Sequence, residues 1–484
     1  MSPMLMRLYH GLPAPVRPIA ATLRGFYLGW WRYGSAMERV AREAQERERW
    51  TGEQWRHYRA ERLGYVLHRA ATQVPYYRDH WQARRRRGDR AAWDVLANWP
   101  ILEKDVLRER PEQFVADDCD RRRMFFQQTS GTTGKPIRLW RSRRALQGLY
   151  GVAAARTRSW LGVSERERWA RLGGQVVVPI EQRRPPFWVW NAARQQLYLS
   201  TYHLAPDLLP YYLDALREYR IVCLQAYPSS LHVLAQAALQ LGARDLPVRA
   251  VITSAEPLLP HQRQTIMAAF HCPVQETYGM GESVAAASSC GDGRLHQWPE
   301  VGIVQVVDGA AAVPRGVAGD LVCTGLLDAD MPLIRYRVGD RGTMPPQDSP
   351  CACGRTLPEF GEIQGRSNDM LLTPDGRQVF WLNPVFYGVP VREAQIIQEA
   401  IGRIRVRYAP ADAFTPRWDR EIAGRLRARL GDVEVILEPV ARVPRSANGK
   451  LQAVRCELGP EERARALNGR GGTSSPTLTG GSTQ

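Results

Sequence analysis

A chain of 484 residues, 44% of them apolar and with 15 tryptophans, has the material for buried cores in more than one packed unit. Its formal charge of +17 would suit nucleic acid, an anionic membrane or a phosphorylated substrate, but the arginines are spread and no nucleic-acid-binding signature accompanies them, so no nucleic-acid partner is expected. Eight cysteines without a secretory leader do not make a disulfide framework, and no uninterrupted apolar run of spanning length occurs, so a soluble cytoplasmic protein is the expectation.

Residues 1–33 mix Leu5, Leu8, Ile19, Phe26, Leu28, Trp30 and Trp31 with Arg7, Arg17, Arg24 and Arg32, a composition that permits peripheral membrane contact. Residues 36–81 carry Leu63, Val66, Leu67 and Ala70 at helical spacing and predict a helical segment ending at Val74-Pro75. The run Arg84-Arg85-Arg86-Arg87 before Gly88 reads as a solvated loop. From about Trp99, strand-like runs at 221–224, 250–253 and 301–307 alternate with helical stretches at 207–219, 229–241 and 260–270, the pattern of an α/β domain. After Gly365-Arg366 a smaller α+β unit is expected, with helices at 395–401 and 418–430 and strands at 404–408 and 433–437. The boundaries are then 1–95 for the helical N-terminal segment, 96–364 for a large domain of mixed sheets and flanking helices, and 365–458 for the small C-terminal unit. Residues 459–484, nearly devoid of apolar side chains toward their end, are predicted to be disordered. Cys119, Cys223, Cys272, Cys323 and Cys456 are isolated and expected to act as small buried hydrophobes.

Only three of the 66 cationic Lys and Arg side chains are lysines, Lys104, Lys135 and Lys450. In a chain that uses arginine almost everywhere, a retained ammonium marks a place where a compact point charge is needed. Lys135 closes the run Thr129-Ser130-Gly131-Thr132-Thr133-Gly134, four hydroxyl residues and two glycines whose N–H and O–H groups can wrap phosphate oxygens. The spacing is not that of a Walker loop, because only two residues separate Gly131 from Gly134. Such a loop taken alone is ordinarily just a mobile turn.

The segment Ser130–Pro136 resembles the phosphate loop of the adenylate-forming superfamily, which includes acyl-coenzyme A synthetases. Five further matches follow in the family's order. Ser254-Ala255-Glu256-Pro257 is similar to its adenine-flanking turn, and Tyr278-Gly279-Met280-Gly281-Glu282 to its Tyr-Gly-x-Thr-Glu motif. Tyr336-Arg337-Val338-Gly339-Asp340 resembles its Tyr-Arg-x-Gly-Asp motif, Gly365-Arg366 its hinge, and 444–450 its catalytic-lysine loop. The elements at 74–78 and 100–104 narrow the resemblance to the phenylacetate-coenzyme A ligase branch with its capsular-polysaccharide relatives, over roughly residues 63–458.

The resemblance implies ATP-dependent activation of a carboxylic acid through an acyl-adenylate, followed by thioester formation with coenzyme A. It implies a loop from Thr129 to Lys135 on the phosphates, Lys450 at the substrate carboxylate and α-phosphate, and Glu282 on Mg²⁺. Asp340 would hold the ribose hydroxyls with Arg366 nearby, Tyr278 and Gly279 would flank the adenine with Ser254, Ala255, Glu256 and Pro257, and Tyr227, Pro228 and Ser229 would lie near the acid. Gly281 stands where the family has threonine, and Asn368 where the hinge often has aspartate.

Cys290, His296, Cys351 and Cys353 supply a closed set of four ligands of the kind structural Zn²⁺ prefers, as branch relatives are expected to have, with a pair of reduced thiols in a turn as the alternative. Two competing functions stay open. One is acyl transfer to an amine or sugar in envelope polysaccharide assembly, and the other is a non-catalytic, zinc-stabilised binding protein. Neither the acid nor the oligomeric state can be read from these residues.

Overall fold

The architecture, from a computed structural model, is described for residues 3–129, 137–179, 181–205, 207–366, 371–373, 378–379, 382–386, 389–445, 451–459 and 461–463. Contacts divide the chain at Ile363/Gln364, and the second unit runs Gln364–Pro444 and resumes at Leu451.

The first unit opens with helices Pro3–His10, Arg17–Arg32, Ser35–Glu46 and Gly52–Gln73. Helix Gly52–Gln73 ends at Val74-Pro75 as expected, but the N-terminal helical region continues beyond it. Val74 is extended, and Pro75 then takes the first position of another helix, Pro75–Arg86, where its missing N–H costs no hydrogen bond. The Arg84–Arg87 run is not a loop. Its first three residues form the last turn of that helix, where cations complement the backbone dipole. Arg84 stacks over Trp81 at 4.6 Å and pairs with Asp89 at 2.6 Å.

A nine-stranded sheet follows. Its five central strands, Val274–Gly279, Ala250–Ser254, Cys223–Ala226, Trp169–Gly173 and Gln196–Ser200, lie side by side and parallel. Antiparallel strands flank them on both sides. Parallel strands need long crossovers, and helices Leu209–Glu218, Pro228–Gln240 and Pro260–Phe270 supply them. Strand and helix side chains such as Leu172, Leu224, Val251, Leu213, Leu234 and Ile266 are fully buried together. An antiparallel sheet carries Ala311–Ala312, Gly302–Asp308, Gly319–Gly325 and Tyr336–Thr343 in that order. Cys223, Cys272 and Cys323 are buried as expected, whereas Cys119 and Cys456 are only part-buried.

The second unit has a sheet ordered Glu434–Pro439, Arg403–Pro410, Val391–Ala400, Val454–Cys456, with helix Arg417–Leu430 packing Ile422, Leu426 and Leu430 into its core. The helix expected at 395–401 is part of the strand Val391–Ala400. That strand is central, paired on both edges, so its apolar Ile396 and Ile397 are buried on opposite faces. Its glutamines are satisfied by backbone rather than water: Gln398 accepts from Leu372 N at 2.9 Å and donates to Leu372 O at 2.6 Å. Tertiary pairing has overridden a helical composition. The tail from residue 464 lies outside the described residues.

Candidate active site

Strand Val274–Gly279 ends where the motif residues begin. The Tyr278 hydroxyl donates to Asp340 Oδ2 at 2.8 Å, joining two motifs 62 residues apart. Asp340 follows Gly339, whose φ of +81° is a conformation that L side chains rarely adopt. Lys104 reaches the same bend: its ammonium donates to Val338 O at 2.8 Å. The lysine singled out by scarcity alone therefore braces the Asp340 turn.

Glu282 is buried, and Tyr336 donates to its Oε1 at 2.8 Å. Burial, and after it the neighbouring carboxylate, pushes the Tyr336 phenol far above its ordinary range, so it stays the donor of this bond. The backbone of the same turn is held from behind. Arg141 donates to Gly281 O at 3.3 Å and more closely to Glu282 O, and pairs with buried Asp328 at 2.7 Å. Asp328 in turn accepts from Asp330 N and Met331 N at 3.2 and 3.1 Å. Sequence reasoning missed Arg141 and Asp328, because an ion pair spanning 187 residues leaves no local pattern. One Glu282 oxygen is fixed by Tyr336 and the other remains a hard ligand, which suits a cation taken through one carboxylate and substrate phosphates, as Mg²⁺ is.

Thr129 closes the base of the phosphate-loop segment twice over. Its N–H donates to Ile137 O and its hydroxyl accepts from Ile137 N, both at 3.0 Å. Ser130, Gly131, Thr132, Thr133, Gly134 and Lys135 lie outside the described residues, as does Lys450. The base of the loop sits against the Glu282 turn, since a Cβ built on Gly281 would lie 3.0 Å from Thr129 Cγ2.

Ser254 ends its strand and pairs in register with Thr277, next to Tyr278. Ala255 then adopts φ +71°, uncommon for a residue with a Cβ, and turns the chain sharply. Glu256 comes to rest on the first turn of helix Pro228–Gln240, accepting from Ser229 N at 3.1 Å. A carboxylate is favoured at that helix end. Ser254, Ala255, Glu256 and Pro257, expected at the adenine, and Tyr227, Pro228 and Ser229, expected near the acid, thus meet at the carboxyl ends of adjacent parallel strands, where open α/β sheets take ligands. Tyr227 also faces the end of a third strand, 3.9 Å from a Cβ built on Gly173. Arg366 belongs to the second unit and only its backbone, in strand Glu362–Arg366, is described; Gly365 before it has φ +90°.

A family model described as AMP-binding enzyme matches residues 56–327, more than half of the chain. The chain belongs to the AMP-binding enzyme family. Protein CapK of Staphylococcus aureus is 25% identical over 359 residues, 72% of this chain and 78% of that protein. A phenylacetate-coenzyme A ligase of Pseudomonas putida is 25% identical over 333 residues, covering 66% and 72%. Among solved structures, a 2-hydroxyisobutyryl-CoA ligase in the postadenylation state with 2-HIB-AMP shares the fold, with TM-score 0.66 and 21% identity over 88% of this chain and 93% of that one.

This AMP-binding enzyme has a second constellation away from the motifs. Cys290, His296, Cys351 and Cys353 place one ligand atom each within 4.8 Å of one another. Cys290 Sγ and Cys351 Sγ are 3.6 Å apart, and Cys353 Sγ and His296 Nε2 are 3.4 Å apart. Tetrahedral Zn²⁺ with Zn–S near 2.3 Å and Zn–N near 2.0 Å requires edges of about 3.8 and about 3.5 Å, which these two edges match. His296 Nδ1 points to Leu357 O at 3.4 Å and Glu359 Oε1 at 3.5 Å, leaving Nε2 for the metal. The Cys351–Cys353 loop is tied to the N-terminal helices. Arg355 pairs with Glu48 at 2.9 Å, and Thr356 Oγ1 donates to Trp50 O at 2.5 Å.

Proposed function

We propose that this enzyme activates a small-molecule carboxylic acid with ATP, releasing pyrophosphate, and passes the acyl group from the adenylate to coenzyme A. The observation that carries the reading is the convergence of Asp340, Tyr278, Glu282 and the base of the phosphate loop on one edge, with Tyr227 and Ser229 on the neighbouring strand ends. A carboxylate attacking the α-phosphorus meets a polyphosphate of like charge, so catalysis consists of placing donors and cations where charge develops.

Asp340, oriented by Tyr278, accepts from the ribose hydroxyls. Tyr278 and Gly279 on one side and Ser254–Pro257 on the other enclose the adenine. The loop from Thr129 to Lys135 cradles the β- and γ-phosphates through its N–H and O–H groups. Glu282, steadied by Tyr336, is the residue that would hold Mg²⁺, which supplies charge neutralisation to the phosphates when bound. Lys450 bridges the substrate carboxylate and α-phosphate as a point charge and then withdraws for thioester formation. Cys290, His296, Cys351 and Cys353 would hold Zn²⁺ as a closed set of four ligands, and their part would be to pin a loop rather than to catalyse. We place the enzyme in the cytoplasm, where both ATP and coenzyme A are at hand; no helix among the described residues is long and apolar enough to cross a membrane.

The test is acid-dependent exchange of labelled pyrophosphate into ATP across aryl, fatty and amino acids, followed by AMP release with and without coenzyme A. Exchange with one acid class and coenzyme-dependent release are expected. No exchange with any acid would favour a non-catalytic binding protein. Release driven by an amine or sugar instead would favour an envelope-polysaccharide acceptor.

A further inference from the structure

Helix Arg17–Arg32 is apolar on two opposite faces, and among the described residues only one of them is buried. Arg17, Gly25, Leu28 and Trp31 are buried. The approach is close enough at Gly25 that a Cβ there would fall 2.1 Å from Asn191 Oδ1, and Arg17 and Tyr9 tie the helices on with bonds to Gln182 (2.9 Å) and Val177 O (3.0 Å). This clamp fixes the rotation of the helix, so the opposite face cannot turn inward.

That opposite face is Ile19, Leu23, Phe26 and Trp30, at i, i+4, i+7 and i+11, a single stripe of the helix surface. Ile19 is 61% exposed, Leu23 and Phe26 65%, and Trp30 55%. Tyr27 borders the stripe, and the preceding helix adds Leu5 and Leu8, also exposed. Scattered apolar residues on a surface need no explanation, but a contiguous helical stripe marks a contact.

The surrounding charge says what the contact is with. Residues 1–37 contain no aspartate or glutamate, although the chain has 49 acidic residues. Exposed Arg7 and Arg24 flank the apolar side chains, and Arg143 lies over the Trp30 ring at 4.5 Å. A second copy of the chain would bring the same cations to the same face. An anionic bilayer offers the opposite charge over a plane, accepts Phe and Leu below its headgroups, and favours Trp and Tyr at the boundary.

We propose that the helices Pro3–His10 and Arg17–Arg32 form a docking surface for an anionic lipid bilayer, with Ile19, Leu23 and Phe26 entering the interface and Arg7 and Arg24 contacting headgroups. The full chain should sediment with vesicles of phosphatidylcholine mixed with phosphatidylglycerol, far less with phosphatidylcholine alone, and less as salt rises. The triple substitution Ile19→Ser, Leu23→Ser, Phe26→Ser should lower partitioning by roughly 10-fold or more, with melting temperature and pyrophosphate exchange unchanged. Arg7→Glu with Arg24→Glu, both exposed, should lower it on anionic vesicles selectively, and this pair decides the matter if the serine variant does not fold. A parent protein that stays in the supernatant with both vesicle types, a serine variant that binds as well as the parent, or a dimer that dissolves on the serine substitution would each overturn the proposal.

Discussion

The nucleotide edge and the cysteine-histidine cluster are built in opposite ways. At the edge, function rests on turns whose backbones are held by remote side chains: Arg141 grips the Gly281-Glu282 carbonyls, Lys104 grips Val338 O, and Tyr278 and Tyr336 orient the two carboxylates. At the cluster the ligands themselves are the structure, four side chains close enough to share one ion. At the edge, the side chains aimed at the nucleotide can be lost with the fold kept and the chemistry gone, whereas the groups that brace the turns from behind cannot. The cluster should lose local order with its metal and leave the chemistry of the edge to fail only indirectly.

The largest effect expected at the edge is structural. Arg141→Met strands the buried Asp328 carboxylate and should cost about 3–5 kcal/mol, read by urea denaturation. Burial already holds that carboxyl above its ordinary value against the pull of Arg141, and removing the arginine raises it further. A raised folded-state value contributes stability that is full below the unfolded value and lost as pH rises through the folded one. The variant's deficit should therefore be smaller in acid than at neutral pH; a deficit that grows on acidification would contradict the pairing.

Next is Lys450→Arg, which should depress pyrophosphate exchange by roughly 10²–10³-fold with ATP affinity nearly intact, because a planar guanidinium does not reproduce a point contact in the transition state. Exchange close to the parent rate would remove the lysine from the mechanism.

For the cluster, purified protein should carry about one zinc per chain, and Cys351→Ser should release it together with a fall in melting temperature, since a ligand bound only to the folded state stabilises that state. Exchange per folded molecule should fall far less than in Lys450→Arg. Metal-free protein with an unchanged melting curve would reject the site.

Legibility followed the same divide. The parallel strands at 223–226 and 250–254 were readable because strands covered on both faces are continuous apolar runs, and the helix Pro260–Phe270 fell where the periodicity put it. Motif residues were readable by position, yet nothing in them disclosed that Tyr278 donates to Asp340 or that Glu256 caps the helix bearing Ser229. The three cysteines and the histidine were readable as a set because their chemistry is uncommon, and they do lie together although Cys290 and Cys351 are 61 positions apart. What failed was local: residues 395–401 looked helical because Gln and Glu favour helices, and only the two strand partners of Val391–Ala400 make it a strand.

The smallest effect, and the one that tests how tightly the edge is made, belongs to Gly281. The resemblance puts threonine here, so on the proposed reading glycine removes a hydroxyl from the neighbourhood of the α-phosphate. Restoring it is not free. A Cβ at 281 would approach Thr129 Cγ2 to 3.0 Å, and Thr129 cannot yield easily because both its N–H and its hydroxyl are engaged with Ile137 across the base of the phosphate loop. The Gly281 carbonyl, held by Arg141 at 3.3 Å, limits movement from the other side. The added volume must therefore displace the loop base, and Gly281→Thr should lower exchange several-fold with little change in melting temperature. Pairing it with Thr129→Ser, which deletes the Cγ2 methyl but keeps the hydroxyl, should recover most of the loss. Exchange that rises in the single variant would mean that the edge had room and had simply lost a contact; no recovery in the double variant would mean that the crowding lies elsewhere than at Thr129.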